Sequence, residues 1–121
     1  MDIYTKEELM EALRVVGSLI ANCEKAQLKF AKGTSQHSLL RNRLKALRIS
    51  EGLITNATIA SKFTKKELAD ALRPIISIIS KCEKVQTKRA ASGSQHARLE
   101  NIIQAMHLAE NLIADELGKR Q

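Results

Sequence analysis

Three observations predict an all-α fold, specifically an antiparallel four-helix bundle made of two tandem, pseudo-twofold-related αα-hairpins. Residues 4–54 recur at 63–113 without a gap, with 24 identities in 51 aligned pairs. Each copy opens on a helix-capping motif and continues with apolar residues spaced four and three apart. Helix breakers are scarce: the 121 residues include five Gly and one Pro, and Ala, Leu, Ile, Lys, Arg and Glu dominate. A chain of this length supports one core, residues 1–121, whereas a half of about 55 residues would be marginal alone. The halves are therefore expected to fold against each other.

The first helix begins at Thr5, an N-cap residue with Glu8 three positions on to reach back and Tyr4 and Leu9 flanking as a hydrophobic staple. Thr64, Glu67, Phe63 and Leu68 repeat this arrangement in the second copy. From there Leu9, Leu13, Val16, Ile20, Cys23, Gln27 and Phe30 fall on one helical stripe, and Leu68, Leu72, Ile75, Ile79, Cys82 and Gln86 repeat it. The pattern stops at Lys32-Gly33-Thr34-Ser35 and Ala91-Ser92-Gly93-Ser94, where Gly ends one helix and Ser35 or Ser94 caps the next. Leu40, Leu44, Leu47 and Ile54, with Leu99, Ile103, Met106 and Ile113, form the apolar face of the second helix of each hairpin. The link from Asn56 to Lys62 is short, and Gly118 to Gln121 should fray. Short loops between long amphipathic helices favour the closed bundle over an open two-unit solenoid, which would leave apolar faces uncovered. Pro74 replaces Val15 inside the third helix, where it removes a backbone donor and should bend that helix.

Polar residues identical in both copies are the candidates for function, and each has a competing structural role. Positions summing to about 67 oppose each other in the first hairpin, which pairs Arg14 with Glu51 and Gln27 with Asn42. Arg73 with Glu110 and Gln86 with Asn101 follow in the second. A cross-hairpin ion pair and a buried amide pair would explain these residues without a ligand. His37 and His96 sit in the first turn of a helix, where a cationic imidazole is disfavoured. Their expected structural role is a hydrogen bond to the preceding loop. Gln36, His37, Gln95 and His96 are harder to explain by architecture than the caps and stripes are, and so are the nearby Lys25, Lys29, Lys84 and Lys88. With Arg41 they form the candidate binding surface, expected twice, near the two hairpin turns.

Chemistry is otherwise sparse. Cys23 and Cys82 are one duplicated thiol on an apolar stripe, which suits a small buried hydrophobe. Zinc is not expected, because Cys23 lies about nine residues below the helix end, roughly 13 Å from His37 at 1.5 Å per residue. There is no phosphate loop, His-Glu-x-x-His or Glu-x-x-His pair, and no nucleophile, base and orienting group assemble. The chain is expected not to be an enzyme. Only Tyr4, Phe30 and Phe63 are aromatic, which disfavours cofactors held by stacking, and none is expected.

The net charge of +7 is spread over both copies and bears on association rather than fold. Lys25, Lys29, Lys32, Lys84, Lys88 and Arg89, with Arg41, Arg43, Lys45 and Arg48, could track phosphates. No nucleic-acid-reading motif accompanies them. The leading expectation is an interaction module that binds protein or assembles with itself, as monomer or homodimer, with sequence-independent nucleic-acid binding as the alternative. The first residues lack the order of a secretory signal and no apolar run reaches spanning length, so a cytoplasmic protein without a membrane partner is expected.

Overall fold

The computed structural model describes residues 4–55, 57–88 and 93–120, apart from the side chains of Ala57 and Lys88. Four helices account for most of these residues: α1 (Lys6–Gln27), α2 (Ser35–Thr55), α3 (Lys65–Lys88) and α4 (Gly93–Lys119). A 3-10 helix, Ala57–Lys62, joins α2 to α3. There is no strand among the described residues. The fold is an all-α four-helix bundle.

The two capping motifs start α1 and α3 as their residues dictate. Thr5 Oγ1 accepts the Glu8 amide at 3.0 Å while Glu8 Oε1 accepts the Thr5 amide at 2.9 Å. Thr64 and Glu67 exchange the same two bonds at 3.0 and 2.9 Å. Tyr4 and Phe63 pack against the core beside Leu9 and Leu68, completing the staples. α1 ends at Gln27, because the Lys29 and Phe30 amides turn back to Ala26 and Gln27 in tighter bonds. Phe30 therefore leaves the helical stripe that its spacing suggested and is 40% exposed. Gly33 follows with φ +91, a left-handed conformation that side chains resist.

Thr34, not Ser35, caps α2. Its Oγ1 accepts the His37 amide at 3.2 Å and donates to the Ala31 carbonyl at 2.8 Å. The second copy has Gly93 at the equivalent position, with φ +48, as the first residue of α4. The cap expected at Ser94 thus also falls inside a helix.

The core is filled from equivalent positions of the two copies. Val16 and Ile75, Leu47 and Met106, and Cys23 and Cys82 are buried in pairs. Each large apolar side chain so enclosed contributes about 1.5–3 kcal/mol relative to exposure. α1 and α3 each pack against both α2 and α4, and α2 also meets α4. Ser50 and Ala109, both small, are wholly buried at the same repeat position of α2 and α4. Ser50 satisfies its hydroxyl on the Ala46 carbonyl at 2.9 Å. Gly52 is closely approached: a β-carbon there would lie 3.3 Å from Ile59 Cγ2 and 3.4 Å from the Phe63 ring.

Other expectations need correction. Arg14 binds Glu11 on its own helix at 2.6 Å rather than Glu51, and Glu110 faces His107 one turn away rather than Arg73. Partners on the same exposed helix face are closer than those across the hairpin. The ion pair that does cross the first hairpin joins Arg48 and Glu24 at 2.7 Å. Gln86 donates to Glu100 at 3.1 Å, one residue from the expected Asn101. That register leaves Asn101 and its equivalent Asn42 exposed.

The chain end does not fray up to Arg120, whose guanidinium donates to the carbonyls of Phe63 and Ala60 and to Glu116. Gln121 lies outside the described residues. Asn111 likewise donates to the Tyr4 hydroxyl at 2.7 Å, holding α4 to the start of α1. α3 runs through Pro74 as one helix, although Pro74 offers no amide to the Asp70 carbonyl.

Replacing Thr64 with Ala is expected to cost about 1 kcal/mol in urea denaturation, since the Glu67 amide loses its acceptor. The Thr64 amide, with Lys45 at 3.3 Å, holds the Glu67 carboxyl below its ordinary 4.5. A depressed carboxyl stabilises the fold above that ordinary value and ceases to do so as pH falls through its lower folded value. Glu67→Gln should therefore lose less stability than the native chain between neutral and strongly acidic pH, measured by denaturation at each pH.

Candidate functional site

The core does not extend to the hairpin turns. No residue from 24 to 43 is buried, nor is any described residue from 83 to 102. These are the same stretch in each copy, so each hairpin carries a tip whose described residues are at most partly buried. The reason lies in residue type: beyond Cys23 and Cys82 the stripes of α1 and α3 turn polar at Gln27 and Gln86, leaving less apolar surface to bury. Leu40, Leu99 and Ile102 still pack against the core, and Ser94, Ala97 and Arg98 share a groove with Arg14, Ser18 and Leu19 of α1.

Both tips carry the candidate surface. Lys25, Lys29, Gln36 and Arg41 are exposed on the first, with His37 half-buried; Lys84, Gln95 and His96 are exposed on the second. Lys88 ends α3, and its side chain lies outside the described residues, as do Arg89 and Ser92. Among the described residues Lys25, Lys29, Lys32, Arg41 and Lys84 have no carboxylate partner. Among the described residues the His37 imidazole makes no hydrogen bond to its preceding loop; its backbone amide makes that contact instead, with Thr34. The loop before His96 lies outside the described residues.

The tips differ in what accompanies the cations. Leu28 is 89% exposed, Phe30 40% and Leu39 51%. The second copy has Thr87, Arg89 and Arg98 at these positions. The sequence did hold this signal, since three apolar residues at one hairpin turn are replaced by polar ones in the other copy. Periodicity hid it by drawing Phe30 into the α1 stripe.

Arg43 is a second residue whose role spacing concealed. The sequence places it with the phosphate-tracking cations, yet its Nε and one terminal nitrogen are buried and find no acceptor among the described residues. The equivalent residue is Ile102, which packs against the core. Arg43 thus occupies an apolar position at the base of its tip. Its charge acts on both Cys23 and Cys82, but burial dominates and pushes both thiols up from their ordinary value. Both cysteines are free and buried. Among the described residues no three His, Cys, Asp or Glu side chains converge as metal ligands.

Two equivalent grooves run between the hairpins. One of about 490 Å³ lies between α2 and α3 and is lined by Asn42, Ala46, Glu67, Asp70 and Arg73, among others. The other, of about 540 Å³ between α4 and α1, is lined by Asn101, Ala105, Glu8 and Glu11. Asn42 and Asn101 thus share a groove position rather than a buried amide pair. Most carboxylates here are already engaged, Glu8 and Glu67 in capping, Asp70 with Lys66 at 2.8 Å and Glu11 with Arg14, while Glu7 lines the second groove with no such partner among the described residues. Hydrogen bonds to Arg14, to the Thr64 amide and to Lys66 hold the Glu11, Glu67 and Asp70 carboxyls below their ordinary values, the opposite of what a general acid requires. No known protein family, curated protein or solved structure matches the chain.

An unpaired buried donor set costs about 1–3 kcal/mol, and the other copy shows that an apolar side chain fits this position. Arg43→Ile should therefore raise stability by about that amount, seen as a higher urea midpoint with an unchanged slope.

Proposed function

We propose that this protein is a non-catalytic interaction module whose hairpin tips engage another protein or a second copy of the chain. The observation that supports this most is the tip itself. Residues 24–43 and 83–102 add no buried residue to the described core, yet both copies retain Lys25 and Lys84, Gln36-His37 and Gln95-His96 there. A bundle needs no tip beyond its core to be stable, whereas a binding surface needs exposed, pre-positioned side chains. The engaged carboxylates of the two grooves are in keeping with a binding role. Buried free thiols suit a reducing, cytoplasmic compartment. The duplication fits descent from a single-copy homodimer, with the present chain functioning as a monomer or as a dimer of such units.

A second interpretation is sequence-independent nucleic-acid binding, favoured by the run from Lys25 to Ser50, which contains no carboxylate. Cations without internal partners are free to displace counterions from phosphates. Duplex DNA or RNA would then bind at low salt and be released steeply as salt rises.

A photoreactive side chain placed at Gln36 or Gln95, and as a control at the exposed Ile76 of α3, tests the module directly. In concentrated protein and in cell extract, the tip positions should each yield a discrete protein adduct that Ile76 does not. Absence of any tip adduct would sink the interaction reading. Binding of duplex at low salt without such adducts would transfer the tips to the nucleic-acid alternative.

A further inference from the structure

We propose that the tip of the first hairpin docks on an anionic lipid bilayer, with Leu28, Phe30 and Leu39 entering the boundary between headgroups and acyl chains. This goes beyond the reading of the tips as protein-binding surfaces and gives the first one a lipid surface as an additional partner. Leu28 and Phe30 project from the turn and Leu39 from the first turns of α2, all exposed at one end of one hairpin. None of them lines either of the two equivalent grooves between the hairpins. A protruding apolar group gains most from a medium that opens to receive it. The membrane interface does this without a matching pocket.

Charge selects the kind of bilayer. Lys25, Lys29, Lys32 and Arg41 surround the apolar residues, and residues 25–50 contain no Asp or Glu. Glu24, at the base of the tip, is neutralised by Arg48 at 2.7 Å. Nothing on this tip repels acidic headgroups, and long cationic side chains can reach them while their stems stay in apolar surroundings.

The second tip is a built-in control. It carries Thr87 and Arg98 where the first has Leu28 and Leu39, and it includes Glu83 and Glu100. The same hairpin therefore folds without the apolar set, so exposing these side chains is not a requirement of the fold. The expectation of no membrane partner rested on the absence of a spanning run. Among the described residues no helix is long and apolar enough to cross a bilayer, and adsorption to a surface needs none.

The chain contains no Trp, so one introduced at Leu28 or at the equivalent Thr87 reports its own surroundings. Full-length protein is mixed with vesicles of phosphatidylcholine alone and of phosphatidylcholine with about one-third phosphatidylserine. Leu28→Trp emission should move to shorter wavelength only with the anionic vesicles, and Thr87→Trp emission should not move. In co-sedimentation, changing Leu28, Phe30 and Leu39 together to Ser, or Lys25, Lys29 and Lys32 together to Gln, should each weaken binding about tenfold or more.

These six positions are unburied, so circular dichroism of each variant should match the native chain. Three results would overturn the proposal: no vesicle binding by the native chain, equal binding to neutral vesicles, or retention of native affinity by the triple Ser variant. The last would mean charge adsorption without insertion. Vesicle failure alongside a protein adduct from Gln36 would remove the membrane assignment but leave the interaction module standing. Failure of both would remove both.

Discussion

The fold depends on each hairpin burying the apolar face that the other cannot cover alone. Val16, Leu47, Ile75, Met106 and Ile113 are fully enclosed, with at least one from every helix. At about 1.5–3 kcal/mol for each large apolar side chain, this burial is comparable to the whole net stability of a small domain. Most other features serve that contact or are released by it. The caps define where α1 and α3 begin, while Tyr4 with Asn111 and Arg120 with the carbonyls of Phe63 and Ala60 tie the chain together opposite the turns. The small Ser50 and Ala109 are wholly buried, and Gly52 leaves room for Ile59 and Phe63.

Because full burial is concentrated away from the turns, the exposed positions of the tips are free to diverge while Leu40, Leu99 and Ile102 keep contact with the core. Divergence is what the two copies show. The first tip gathered apolar residues and cations without carboxylates, while the second took Thr87, Arg98 and Glu100. The base of the first tip also holds Arg43, a charge in an apolar position with two buried nitrogens unpaired. Buried unpaired donors oppose folding, so the chain tolerates a local cost between its core and its most exposed surface. Nothing in the structure explains why Arg43 stands there.

Much of the architecture was legible in the residues. Thr5 with Glu8 and Thr64 with Glu67 reported local bonds over three residues, which need no tertiary context. The apolar stripes reported faces, and the buried set extends them to Ala12, Val15, Ala71 and Ile78. Cross-hairpin pairing was less accessible. The number-sum rule placed Gln86 opposite Asn101, but a shift of one residue brought Glu100 instead and changed the chemistry. Arg14 chose Glu11 because a neighbour one turn away needs no alignment between helices. Lys25, Lys29, Arg41 and Lys84 lie exposed, whereas Arg43, from the same basic cluster, is partly buried.

The sequence alone determined four helices, the capped starts of α1 and α3, the faces the helices bury and the equivalence of the two halves. These follow from bonds and spacings repeated every few residues along one chain. Only the tertiary structure decided where burial stops along each hairpin, and with it which equivalent residues became core, groove or tip. That boundary depends on how far each helix reaches past the place where the two hairpins touch, a distance between helices that no periodicity within one helix encodes.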